Sequence, residues 1–339
     1  MNLYTDIKIT PRIESLRLQD ISDEEYFSAK YSNYISNSRL ALINPKQNGT
    51  PDKFFNGSFN NFSDSLVLGS AVHELVLQSD SFTLCDDVNR PTGKMGYIAD
   101  YLYNKENITD ELLKEAALKY DYYGGNLTET KLNKIIADCS NYWSERKLFE
   151  NRLVSNLIPI YLDSKSRDRL KSLLVNINSN KQFQNLLYPK GLIEDPISAN
   201  EKTILLDVEV EVKGYKPFIL KLKSKLDNYT IEDDTITVND LKTTGKTLNY
   251  FDEAIETYHY YRELAMYSYL LRLCAQKFFH IDKPKIKCNF LVASTIPNFY
   301  TKVVPLTKKQ FIKGLKEFKF LLRLVAYYVA TRYSNFASV

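Results

Sequence analysis

The apolar pattern of this chain changes period at Thr203. Upstream, residues 90–190 carry Ile98, Leu102, Leu112, Leu113, Leu118, Ile135, Ile136, Trp143, Leu148 and Leu153 at helical spacing, punctuated by Gly124-Gly125. Downstream the alternation has a period of two. Leu205 to Val212 and Phe218 to Tyr229 read as strands separated by a turn at Gly214, and Thr235 to Lys242 reads as a third. Helix-period and strand-period segments in one chain of 339 residues point to an α/β fold with a sheet and covering helices.

The strands place chemistry. If Asp233 and Asp234 form the two-residue turn of a hairpin, Asp227 lies opposite Asp240, Tyr229 opposite Val238 and Ile231 opposite Ile236, all on one face. Directly opposed like charges destabilise a sheet, and burial adds a desolvation cost. The pairing therefore calls for a cation, a shared proton or a functional reason, and a divalent metal is the natural answer. Lys242, two residues beyond Asp240, projects from the same face. Taken alone, D-x-K is weak evidence: Asp227-Asn228 also fits the start of a turn, and Asp240-Leu241-Lys242 an ordinary edge strand.

The remaining segments frame this hairpin. Ser36 or Ser38 suits the N-cap of a short helix ending before Pro45, and another helix starts near Ser63 or Ser65 with Leu66, Gly69, Val72, His73 and Val76 on one face. The residues from Asp252 to about Phe279 read as one helix, Lys287 to Ser294 as a strand, and Lys308 onward as a C-terminal helix. Lys221, Lys223 and Lys225 alternate on one strand face, which suits either a phosphate-facing strip or a solvated edge. The expected organisation is residues 1–89 and 191–339 forming one core, with 90–190 as a helical insertion. Lys94, Lys105, Lys131, Lys134, Arg146 and Lys147 of that insertion are open to phosphate contact or to plain solvation.

Composition narrows the class. Lys and Arg number 45 against 41 Asp and Glu, a net charge of +4 that rules out a histone-like polycation but allows a basic groove. Cys85, Cys139, Cys274 and Cys288 are widely spaced, with no C-x-x-C pair, which speaks against a zinc ribbon or a disulfide framework. The first eight residues lack the pattern of a secretory signal, and no apolar stretch reaches the ~20 residues of a membrane span, so a cytoplasmic location is expected.

Four stretches together are more specific: Leu68-Gly69-Ser70-Ala71-Val72-His73-Glu74-Leu75, Lys225-Leu226-Asp227, Asp240-Leu241-Lys242-Thr243-Thr244, and Glu263-Leu264-Ala265-Met266-Tyr267. In order and spacing they resemble the PD-(D/E)xK nuclease superfamily, in its RecB-like and exonuclease VIII-like phage branch. There a G-x-x-x-H helix precedes the strands and a Q-x-x-x-Y helix follows them. Ile35-Ser36-Asn37-Ser38-Arg39-Leu40 is similar to the segment that introduces the histidine helix in phage members.

The resemblance implies a restriction-endonuclease-like core with a central mixed sheet flanked by helices. It implies Mg²⁺ or Mn²⁺ held by His73, Asp227, Asp240 and the carbonyl of Leu241, with Lys242 as the catalytic lysine, and DNA contacts from Ser38, Arg39 and Tyr267. Oxygen ligands suit both ions, and a single imidazole is more comfortable with Mn²⁺. Two positions depart from the pattern: Glu263 replaces the usual glutamine, which shifts its role from DNA contact toward the metal's water, and Ser224 stands where glycine is common. Iron–sulfur relatives carry a close cysteine trio after the last motif, whereas only Cys274 and Cys288 follow Tyr267 here, so no iron–sulfur cluster is expected. The implied activity is a DNA exonuclease of phage recombination or end processing, acting on duplex ends or single strands, with a single-strand annealing protein as a partner and homo-oligomers allowed. A restriction-like or repair endonuclease, and a non-catalytic DNA-binding or assembly protein that retains the fold, stand as alternatives.

Overall fold

The computed structural model describes residues 3, 5–57, 62–125, 127–153, 155–190 and 197–337. The chain divides into two compact units, one of residues 1–59, 177–294 and 300–339, the other of residues 60–176 and 295–299. Residues 60–89, expected with the core, cluster in the second unit. Residues 177–190, expected in the helical insertion, cluster in the first unit.

The first unit opens with β1 (Ile7–Pro11), β2 (Arg17–Asp20), α1 (Asp23–Tyr26), β3 (Tyr34–Ile35), α2 (Asn37–Ala41) and α3 (Pro51–Asn56). The second comprises α4 (Asp64–Leu77), β4 (Phe82–Leu84), α5 (Gly93–Tyr103), α6 (Asp110–Lys119), α7 (Glu129–Glu150), β5 (Ile158–Ile160) and most of α8 (Ser164–Ser179). The first unit resumes with α9 (Lys181–Leu187), β6 (Ile197–Val212), β7 (Phe218–Glu232), β8 (Thr235–Thr244), α10 (Phe251–Thr257), α11 (Tyr260–Phe278), β9 (Lys285–Ser294), β10 (Thr301–Pro305) and α12 (Lys308–Thr331).

In the first unit eight strands form one mixed sheet in the order β1-β6-β7-β8-β9-β10, with β2 also on β6 and β3 also on β7. The β8–β9 and β3–β7 pairs are parallel and the others antiparallel. The two long hairpins are set by their turns. Gly214 takes φ +88°, open to glycine at no steric cost, and Asp233 takes φ +50°, which Asp tolerates better than most residues. The N-terminal strands did not stand out in the sequence because they are only five and four residues long and half-exposed.

Leu264, Leu271 and Met266 of α11 and Phe318, Leu321 and Val325 of α12 bury their side chains in the same core as Leu206, Leu222, Val238 and Phe290 of the sheet. The two helices approach closely at Gly314, where a Cβ would lie 2.2 Å from the carbonyl oxygen of Tyr261. The helix expected from Asp252 to Phe279 is broken. His259 sits at φ +56° between α10 and α11, and its Nδ1 lies 2.6 Å from Glu317 Oε1, so a buried polar contact outweighs continuation of the helix.

The second unit buries Met95, Ile98, Leu102, Leu113, Ile135, Cys139 and Tyr142 in a separate core. Ser63 caps α4 by accepting from the Leu66 N–H, as the sequence suggests. Leu66 itself, expected inward, is 50% exposed, because it lies in the first turn ahead of the buried stripe Leu68, Ala71, Val72, Val76. Among the described residues no helix is long and apolar enough to cross a membrane.

Candidate active site on the central sheet

The site is built by strand register. β7 and β8 pair from Glu232 with Thr235 to Asn228 with Asn239, as the two-residue turn predicts, so the next step sets Asp227 against Asp240. On the other side of β7, Asn200 pairs with Asn228 and Lys202 with Leu226, which sets Glu201 against Asp227. Three acids thus cross three neighbouring strands in one row. Glu201 holds φ +54°, left-handed backbone costing of order 1–3 kcal/mol for a side chain of this kind, and a carboxylate oxygen of Glu201 lies within 4.8 Å of one of Asp227.

The residues beside the acids point to the opposite face and fix the register. Asn228 Nδ2 donates to Asn200 Oδ1 (2.8 Å), Asn239 Nδ2 to Asn228 Oδ1 (2.7 Å), and Asn289 Nδ2 to Asn239 Oδ1 (3.0 Å). Asn228 and Asn239 are fully buried, so a slip of one residue would strand their amides without partners. The ladder holds the acidic row in place from behind.

Lys242 lies over the row. Its Nζ is 2.8 Å from Asp240 Oδ2, 3.0 Å from Asp240 Oδ1 and 3.1 Å from Glu263 Oε2, and it sits 5.2 Å from the centre of the Tyr260 ring. One helical turn beyond Glu263, the Tyr267 hydroxyl donates to Glu263 Oε1 (3.1 Å). Burial pushes the Asp240 carboxyl well up, against Lys242, with Glu263 and Asp227 adding to the rise. Burial pulls Lys242 down, but Asp240 and Glu263 outweigh it and hold the lysine well above its ordinary value. For Glu263, burial is outweighed by Lys242 and by the Tyr267 hydrogen bond, and the carboxyl is lowered. In this arrangement Lys242 is a fixed cation.

Other expected site residues have distinct placements. The Leu241 N–H donates to Asp227 Oδ2 at 2.7 Å, orienting that carboxylate. His73 is half-buried on α4, in the second unit. Ser38 Oγ lies 2.9 Å from Ser36 Oγ, and Ser36 caps α2. Arg39 gives its guanidinium to the carbonyls of Phe54 and Ser32 and stacks between the Phe54 and Phe336 rings, at 5.1 and 4.7 Å. Tyr267 is 8% exposed and points at Glu263.

Two lysines of the β7 strip are internal anchors rather than parts of a phosphate track or a solvated edge. Lys223 is buried and donates to the Tyr26 carbonyl (2.6 Å), and Lys225 bridges Asp23 and Glu201. Of the cations in residues 90–190, Lys94 pairs with Asp121 and Arg146 with Glu150 and Asp100. These side chains are held by acids of their own unit.

Glu201 was not legible as a site residue because the run before Leu205 is polar without alternation. The signal lay in the turn: reflecting the β6–β7 hairpin about Gly214 sets Glu201 opposite Asp227.

The row fits a divalent cation. Asp240 is 1% exposed, and a single ammonium, Lys242 Nζ, faces both of its oxygens (2.8 and 3.0 Å) while also meeting Glu263 (3.1 Å), so one cation is shared between two carboxylates. Burial, then the charge of Asp227, raises the Glu201 carboxyl to about 7, against 4.5 for a free glutamate. The Glu201 and Asp227 oxygens, within 4.8 Å of each other and with one carboxyl raised by the crowding, are donors of the kind a hard cation takes.

The same crowding has a measurable cost. The folded state binds the Glu201 proton more tightly than the unfolded chain, so its contribution is complete below about pH 4.5 and is lost as pH rises through about 7. Glu201→Gln should therefore stabilise the metal-free protein at pH 8 by up to roughly 3 kcal/mol, with the gain fading toward pH 4.5. Urea unfolding in EDTA across that range measures this, and a gain independent of pH would contradict it.

No family model matches the chain, and no curated protein matches it. Among solved structures, a crystal structure of a candidate exonuclease from Eubacterium rectale is similar over 91% of this chain and 88% of that one, at 12% identity and a TM-score of 0.40. A likeness this loose places the chain in no family. The fold and site define an α/β protein whose mixed sheet carries an acidic row faced by a lysine.

Proposed function

We propose that this protein is a metal-dependent deoxyribonuclease that hydrolyses DNA phosphodiester bonds at the Glu201, Asp227, Asp240 and Lys242 row. The observation that carries the reading is the opposed acids, which binding alone would not need, together with a lysine fixed over them by Asp240 and Glu263. Asp227 and Asp240, with Glu201, would hold Mg²⁺ or Mn²⁺; His73 and the Leu241 carbonyl are proposed as further ligands on the strength of their motifs. When bound, such an ion supplies a Lewis acid for the phosphate and for the attacking water.

The chain's own residues do the rest. Lys242 presents a preorganised positive charge to the phosphate oxygen on which negative charge builds, at no cost of reorientation during reaction. Glu263 is a positioning residue that keeps Lys242 in place, and Tyr267 keeps Glu263 in place. Phage-type exonuclease action in recombination, the narrowest form of the reading, rests on the motif resemblance and extends to DNA ends as substrate.

The test compares linear duplex, single-stranded and covalently closed circular DNA with Mg²⁺, Mn²⁺ or EDTA. Release of short products from linear DNA alone, abolished by EDTA, is the expected result. Cutting of closed circles would favour the endonuclease alternative, and binding without cleavage in either metal would favour the non-catalytic one.

A further inference from the structure

Beside Lys242 the first unit contains a recess of about 400 Å³ that the chemistry above leaves unused. It is lined by Thr243, Thr244 and Lys246 at and after the end of β8 and by Tyr258 and Tyr260 at the α10–α11 break. Phe251, 3% exposed, closes its floor. The walls are fixed: the Lys246 N–H donates to Thr244 Oγ1 (3.2 Å), and the Lys246 carbonyl accepts from Ser294 Oγ (3.1 Å). Tyr260 joins the recess to the active site, since one of its faces carries Lys242 Nζ at 5.2 Å. Tyr258 lies 5.4 Å from Tyr260 at a 32° tilt and is 56% exposed, a large ring presented to solvent beside a polar, lysine-bearing wall.

We propose that this recess seats one unpaired nucleotide of the DNA strand next to the scissile phosphate, its base on the exposed Tyr258 ring and its phosphate toward Lys246. The inference rests on the nuclease reading and deepens it by naming a single strand as what the site accepts. The volume lies within the ~300–1,000 Å³ of small-molecule clefts, room for a nucleotide. A stacking ring beside a cation is the combination by which proteins hold single strands without reading sequence. Glu253 at the rim bears the same charge as a phosphate, so the phosphate belongs on the Lys246 side and the base faces the helix.

The test uses the full chain in EDTA, where chemistry is silent, and measures fluorescence anisotropy of labelled octathymidylate and of an abasic octamer with the same phosphates. Tyr258→Ala should weaken octathymidylate about 10-fold, the scale of one lost base–aromatic stack, and leave the abasic octamer unchanged. Tyr258→Phe should restore the affinity, and Lys246→Ala should weaken both octamers and flatten their salt dependence. Equal loss for both octamers on Tyr258→Ala, or no loss, overturns the seat. Cleavage of the unmodified strand by the wild type with Mg²⁺ or Mn²⁺ is scored separately: base-dependent binding without cleavage would overturn the nuclease reading and keep the seat, whereas cleavage with no Tyr258 effect would do the reverse.

Discussion

Lys242→Ala is expected to cut the rate of DNA cleavage by at least ~100-fold at saturating metal, the scale of losing one preorganised electrostatic group. Metal affinity should not fall, because the substitution removes a cation from beside Asp240 and Glu263 and leaves the carboxylates in place. The metal-free variant should be less stable than wild type, since Asp240 is 1% exposed and loses its ionic partner. Lys242→Met, which keeps most of the side-chain volume, separates lost charge from lost packing. Single-turnover cleavage and calorimetric Mg²⁺ or Mn²⁺ titration measure both arms. A rate within about threefold of wild type would remove Lys242 from the mechanism and leave it a structural counter-ion.

The second large effect lies away from the acidic row. Glu317 of α12 is 8% exposed and accepts from Arg262 Nη1 (2.9 Å), the Tyr261 hydroxyl (3.2 Å) and Asn44 Nδ2 (3.1 Å), besides meeting His259. Arg262, 1% exposed, also donates to Gln47 Oε1 and Asn37 Oδ1. This network ties α11 to α12 and to the 37–47 segment, one residue before Glu263. Glu317→Ala strands a buried guanidinium and should cost about 3–5 kcal/mol, whereas Glu317→Gln, which keeps an acceptor, should cost less. Urea denaturation at pH 7 checks the pair. A loss below about 1 kcal/mol for Glu317→Ala would mean that water or the remaining amides satisfy Arg262.

The same residues show how far sequence alone reaches. The β7–β8 register, and with it the opposition of Asp227 and Asp240 and the shared face of Lys242, was legible because a two-residue turn fixes pairing locally and side chains alternate with a period of two. The α/β class was legible in the change of apolar period, and the Glu263–Tyr267 pair in its one-turn spacing.

Only the tertiary structure decided the rest. Glu201 joins Asp227 through the longer β6–β7 hairpin and a left-handed backbone that no local pattern announces. Lys223 and Lys225 turn from a regular basic strip into anchors because α1 supplies a carbonyl and a carboxylate 197 and 202 residues earlier in the chain. The α10–α11 break follows from a buried Glu317 at the far end of the sequence. In each case the deciding energy is a buried polar or ionic contact between distant segments, and its partner is not specified by the residues around it.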